Sequence, residues 1–275
     1  MMSSGEMSVK TRNFTPEDHQ EAIVKHLEVL EEKVFQTKTK WPHFSLLIDD
    51  LREFAEMLPA NATVVSLERT LLYGGYSLIA PLFHSQNFIS LDCSPPSAEE
   101  RGAYNRDMVE DPRFIKVKTT KRVLIEDIDM ESGIADLVLI PNLVHHIADQ
   151  DTMFSELNRL VRPGGQVYIF EPLVRELHQI PDDYLRYTPD GLAKEMLKLG
   201  LQPNPPKMQG GPFSAIAYCW TQALQYFPPE VRKEKEAWFY NEHYKELMDW
   251  DEEYPKNLFR ENTCFPMSFS ITAKK

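Results

Sequence analysis

The chain has 275 residues, 42% hydrophobic and 26% charged, which is enough to bury a full core with an ordinary globular composition. A formal net charge of −12 argues against a polyanion partner, and the one dense basic run, KVKTTKR at 116–122, reads as a solvated strand end and loop. No apolar run reaches membrane-spanning length, no apolar leader is visible, and Cys93, Cys219 and Cys264 lack ligand spacing. The expectation is a cytoplasmic protein with reduced thiols, no metal, no nucleic acid and no membrane partner.

Residues 1–13 read as a disordered tail, and 14–60 as a helical cap. Thr15-Pro16-Glu17-Asp18 starts a helix with Ile23, Leu27, Leu30 and Val34 on one stripe. A second helix is expected over about 44–58, with Leu47, Leu51, Phe54 and Leu58 facing one way. Residues 61–275 then alternate in type. Thr63–Leu67 is strand one, Tyr76–Phe83 the following helix, and Asn87–Leu91 strand two, ending at Asp92. Ser97-Ala98-Glu99-Glu100 reads as a capping box and Phe114–Val117 as strand three.

The most informative stretch is Ala135–Pro172. Ala135–Ile140 is a continuous apolar run, Asp151–Val161 has helical spacing, Pro163-Gly164-Gly165 makes a turn, and Gln166–Phe170 is apolar again. Strand, helix, strand in this order implies a parallel pair. Thr188-Pro189-Asp190 opens a further helix that stops at Gly200, and Gln202–Pro212 reads as a loop. Helices over Phe213–Tyr226 and Glu230–Trp250 form an aromatic insertion at about 213–254, before a last strand over Cys264–Thr272.

The segment running from Asn142 through His145-His146-Ile147 and Glu156…Arg159 to Pro163-Gly164-Gly165 resembles the N-x-x-H-H-I…E-x-x-R-x-x-x-P-G-G core of small-molecule class I S-adenosylmethionine-dependent methyltransferases, of the type 11 kind. The resemblance covers about 60–200 and the last strand. It implies an α/β fold: a Rossmann-like three-layer sandwich with a seven-stranded, mostly parallel sheet and an antiparallel last strand. It also implies S-adenosylmethionine as cofactor and a small organic acceptor.

By that resemblance Asp92 accepts the ribose hydroxyls, and Asn142 and Leu143 flank the methionine part. His146 is the candidate general base and His145 faces the substrate. The alternatives are an Asp92 that caps a turn and histidines that only pack beneath the loop. Glu126, Asp127 and Asp129 are weak candidates for contact with the adenine.

Asp183-Tyr184-Leu185-Arg186-Tyr187-Thr188 resembles the D-Y-x-R-[FY]-[ST] segment of the same enzymes, so Tyr184, Arg186 and Tyr187 are candidate substrate residues, with core packing and ion pairing as the alternative.

The glycine-rich first loop breaks the pattern. Ser66 stands near the usual acid, Glu68 takes the first glycine's place, and glycines come only at Gly74-Gly75. Three explanations stay open: a reshaped loop in which Gly74 and Gly75 make the close approach beside Glu68, a changed nucleoside, or a fold kept without the cofactor. Two functions follow, methyl transfer to a small molecule or a non-catalytic binding or assembly subunit. The rings of the insertion fit a lid, a homodimer interface or plain packing.

Overall fold

The computed structural model describes residues 16–38, 40–95, 106–255 and 265–275; the expected tail, the capping box at Ser97 and Cys264 lie outside them. The helices are α1 (Pro16–Val29), α2 (Phe44–Met57), α3 (Arg106–Glu110), α4 (Gln150–Leu160), α5 (Pro189–Lys198), α6 (Pro212–Ala223), α7 (Pro229–Glu242) and α8 (Tyr244–Glu253). The strands are β1 (Thr63–Glu68), β2 (Tyr76–Ser77), β3 (Asn87–Asp92), β4 (Val117–Lys118), β5 (Lys121–Arg122), β6 (Ala135–Pro141), β7 (Val161–Pro172), β8 (Gln202–Pro203), β9 (Lys207–Gln209) and β10 (Ser268–Lys274).

One eight-stranded sheet runs β5-β3-β1-β6-β7-β10-β8, with β9 also on β10. The strands from β5 to β7 are parallel, and β10 is antiparallel to β7, β8 and β9. This is the Rossmann-like α/β arrangement expected, with the antiparallel strand entering beside β7, but the sheet has eight strands where seven were expected, because the short β8 and β9 both pair with β10.

Alternation along the strands divides the core. Val65, Leu67, Val138, Ile140, Val167 and Ile169 point to one face, where Met153, Phe154, Leu157 and Leu160 of α4 and Leu192 and Met196 of α5 cover them. Val64, Leu137, Leu139, Tyr168 and Phe170 point to the other, against Leu27 of α1 and Leu47, Leu51 and Phe54 of α2. Each such side chain, nearly all fully buried, stabilises the fold by roughly 1.5–3 kcal/mol. The N-terminal helices therefore form a layer of the sandwich. Asp50 of α2 pins that layer: it is buried and accepts from Tyr168 Oη at 3.0 Å, Ser270 Oγ at 2.6 Å and Lys207 Nζ at 2.7 Å.

Four elements differ from the sequence reading. Tyr76–Phe83 is not a helix: Tyr76 and Ser77 pair with β4, and Ala80–Phe83 is a single 3-10 turn with Pro81 inside it. Phe114 and Ile115 pack beside His26 and α1 instead of entering the sheet, and Lys121–Arg122 takes that edge. The expected loop 202–212 holds β8 and β9, and an edge tolerates the one proline in them, Pro203. The long charged helix is two helices, broken at His243 with φ −126° and ψ −32°.

The three late helices tie back on themselves. Asp251, on α8, accepts from Gly211 N, Phe213 N and Ser214 N, the unpaired donors at the start of α6, and from Ser214 Oγ. They meet the body at Tyr218, whose ring lies 4.7 Å from that of Trp41. The Arg175 guanidinium stands 5.5 Å from the same Trp41 ring.

Candidate functional site

The carboxyl ends of the parallel strands form one rim, where open α/β sheets bind ligands. Its first half lies over β1 and β3. Ser66, Glu68, Ser90 and Asp92 share the face of the N-terminal helices, with Ser66 opposite Ser90 and Glu68 opposite Asp92. Glu68 is 7% exposed. Its carboxylate accepts from Ser77 Oγ at 2.8 and 2.9 Å and from Ser90 Oγ at 2.9 Å. Burial pushes its pKa up to about 7; the serine hydroxyls oppose that shift and Asp92 adds to it.

Gly74 and Gly75 make this arrangement possible. Both have positive φ, +69° and +79°, and they close a turn in which Gly75 N donates to Thr70 O at 2.9 Å. The turn sends the chain back so that Ser77 lands on Glu68. The glycines thus shape a loop around Glu68, Arg69 and Thr70, all three buried. Asp92 is 2% exposed, and its Oδ1 accepts from Thr70 N at 2.8 Å, Ser94 Oγ at 2.5 Å and Ser94 N at 3.3 Å. Arg69 reaches across the rim, donating from Nη1 to Gln179 Oε1. What remains between these side chains is a cavity of about 70 Å³, lined in part by Glu68, Arg69, Thr70, Asn142, His146 and Gln179, with Phe35 and Leu47 from the N-terminal layer.

The second half lies over β6 and β7. Asn142 follows β6 in the left-handed region at φ +60°, and its buried Oδ1 has no hydrogen-bond partner among the described residues. Leu143, expected beside the cofactor, is 1% exposed and sits in the core. Val144–His146 is a 3-10 turn held by Glu171 at the end of β7. Glu171 Oε1 accepts from Val144 N at 2.8 Å, and Oε2 stands 2.6 Å from His145 Nδ1. His146 Nδ1 bonds the Asp182 carbonyl. Burial holds the His146 pKa far below the imidazole range, with the charges of His145 and Arg69 adding to it. The general-base role expected of His146 draws no support from that, since so weak a base takes up no proton near neutrality.

His178, not singled out by the sequence, completes the group. Its Nε2 is 3.3 Å from His145 Nε2, and its Nδ1 faces Glu176 O at 3.2 Å and Asp183 Oδ2 at 3.1 Å. Burial and Arg175 bring its pKa down to about 3. The only sequence signal was that three of the eight histidines fall between 145 and 178.

The candidate substrate segment is mostly bonded to itself. Arg186 pairs with Asp183 at 2.5 Å and donates to Leu185 O and Glu176 O. Tyr187 is half-buried against Phe154. Tyr184 is 49% exposed, with its hydroxyl 3.2 Å from Asp182 Oδ1. Arg186 thus fastens the loop that carries His178, and of the three only Tyr184 offers an open face.

Residues 73–169 match the family described as "Methyltransferase domain", in agreement with the resemblance to class I S-adenosylmethionine-dependent methyltransferases. The match begins just past Glu68-Arg69-Thr70 and spans roughly a third of the chain. No curated protein matches this chain. Among solved structures, the geranyl diphosphate C-methyltransferase of Streptomyces coelicolor A3(2) is 13% identical, over 96% of this chain and 85% of that one, at a TM-score of 0.48. Phosphoethanolamine N-methyltransferase 2 of Haemonchus contortus is 15% identical over 92% and 56%, at 0.46. The YcgJ protein of Bacillus subtilis is 11% identical over 83% and 98%, also at 0.46.

Proposed function

We propose that this protein transfers a methyl group from S-adenosylmethionine to a small organic acceptor at the strand tips. Two things support the reading: the family match over 73–169, and Asn142. Asn142 presents a buried acceptor with no partner among the described residues at the wall of the cleft, from a strained backbone. An unmet buried acceptor costs roughly 1–3 kcal/mol, which a donor on a bound ligand would relieve. Asp92, at the end of β3, would meet the ribose.

In this conformation the enclosed part of the cleft, among the described residues, is smaller than a nucleoside site. Ligand sites of that class need on the order of 300 Å³ or more, against the roughly 70 Å³ present. Arg69 and Gln179 are bonded across the space, so cofactor entry requires that contact to open.

The same observation favours a second reading, a methyltransferase fold that binds or assembles without the cofactor. Glu68 and Thr70 are buried where the resemblance expects glycines, with Arg69 buried between them. Calorimetric titration with S-adenosylmethionine and with its demethylated product separates the two. Methyl transfer predicts saturable binding by the full chain and at least about a tenfold loss in Asp92→Ala, one hydrogen-bonding contact's worth. No heat from either compound with a folded chain leaves only the second reading. Unchanged affinity in folded Asp92→Ala removes the ribose role.

A further inference from the structure

His145, His146 and His178 each offer a ring nitrogen within 4.8 Å of the others, and the cluster is buried or half-buried. In each ring Nδ1 is already engaged by an oxygen acceptor: Glu171 Oε2 for His145, Asp182 O for His146, Glu176 O and Asp183 Oδ2 for His178. Arg186 Nη2, a donor, stands farther from His178 Nδ1, at 3.5 Å. A neutral imidazole that donates from Nδ1 carries a lone pair on Nε2. Two of these lone-pair atoms, His145 Nε2 and His178 Nε2, then face each other at 3.3 Å with no proton between them. Such a contact is relieved either by a proton on one Nε2, which makes it a hydrogen bond, or by a cation beside both nitrogens.

We propose that His145, His146 and His178 form a three-histidine site for a divalent transition metal ion, with zinc the first choice. Two nitrogens bound at ~2.0–2.1 Å to a tetrahedral ion lie ~3.3–3.4 Å apart, which is the separation found between His145 and His178. Imidazole ligands suit zinc and its neighbours, whereas magnesium and calcium take oxygen. Glu171 supplies the outer carboxylate that metal-bound histidines commonly hold through their second nitrogen, and the Asp182 carbonyl does the same for His146. Three imidazoles leave a fourth position open, as in zinc sites that bind water or substrate. His146 also lines the cleft, so a ligand in the cleft lies beside that ion. No metal was expected because the three cysteines lack ligand spacing, and residue order does not join His178 to the histidine pair 32 positions before it. The inference does not rest on the cofactor reading: a chain that binds zinc but not S-adenosylmethionine upholds one and ends the other.

The test uses the full chain, stripped with a chelator and titrated with zinc, then with cobalt as a spectroscopic stand-in. The expected result is one zinc per chain and the intense visible absorption of four- or five-coordinate cobalt. His178→Asn and His145→Asn, shown to be folded by circular dichroism, should each weaken zinc binding by about 100-fold or more, and Glu171→Gln by about 10–100-fold. Absence of zinc uptake by the unaltered chain overturns the site, as does uptake that His178→Asn leaves unchanged, which marks binding by surface groups. If the variants do not fold, the cobalt spectrum decides alone: weak, six-coordinate absorption overturns the site.

Discussion

The two halves of the rim handle buried polarity in opposite ways. Over β1 and β3, two carboxylates are surrounded by donors: Ser77 and Ser90 hydroxyls on Glu68, and Thr70 N with Ser94 on Asp92. The charge is met from within and the space is closed. Over β6 and β7, the imidazoles spend one nitrogen each on protein acceptors, while Asn142 Oδ1 meets no donor among the described residues. The Asn142 oxygen is the acceptor there that a ligand N–H would relieve. A single sheet edge thus carries one region in which both carboxylates are met by nearby donors and one in which, among the described residues, the Asn142 amide oxygen is not.

The comparison can be broken most sharply at Glu171. Glu171→Ala removes the acceptor of both Val144 N and His145 Nδ1. At roughly 1.5–3 kcal/mol for each bond to a buried charged group, about 4 kcal/mol of unfolding free energy should be lost. Urea denaturation measures this, and a loss below ~1 kcal/mol would show that the β6–β7 half is not held by that carboxylate.

Glu68 tests the other half through pH. Its folded pKa, about 7, lies above the ordinary 4.5, so the folded state holds the proton more tightly than the unfolded chain does. The protein should therefore lose stability as pH rises through the window from 4.5 to 7, and lose no more from this group above it. The shift amounts to about 3 kcal/mol at most. Glu68→Gln should flatten that part of the profile and be the more stable chain at pH 8, with little difference at pH 4. An unchanged slope between those limits would mean Glu68 is solvated despite its burial.

The smallest expected effect is on the cleft between the halves. Arg69→Ala removes the contact to Gln179, and S-adenosylmethionine should bind about tenfold more tightly, or ~1.4 kcal/mol. Equal or weaker binding in calorimetry would show that Arg69 is not what closes the cleft.

Much of the scaffold was legible because its signals are periodic. The stripes of α1 and α2, the apolar runs of β1, β3, β6 and β7, and the capping side chain of Thr188, which accepts from Gly191 N, all read directly from residue order. The two- and three-residue strands did not, because pairing at a sheet edge leaves almost no periodicity. At the site, Asp92, Asn142 and the paired histidines could be placed on the correct loops. The contacts that fill or complete the rim join distant positions: Arg69 to Gln179, and His145 to His178. No local pattern encodes such pairs. Glu68 was expected in the first glycine's place, and its capture by Ser77 depends on a turn whose shape only the fold reveals.

Trp41 has two neighbours that belong to different parts of the chain. Tyr218 comes from the helices placed before the last strand, and Arg175 from the segment leading to His178. A single indole therefore works as a shared bearing between a peripheral unit and the rim. Replacing it with a small side chain would loosen both seats together, so a perturbation far from the strand tips would still reach them.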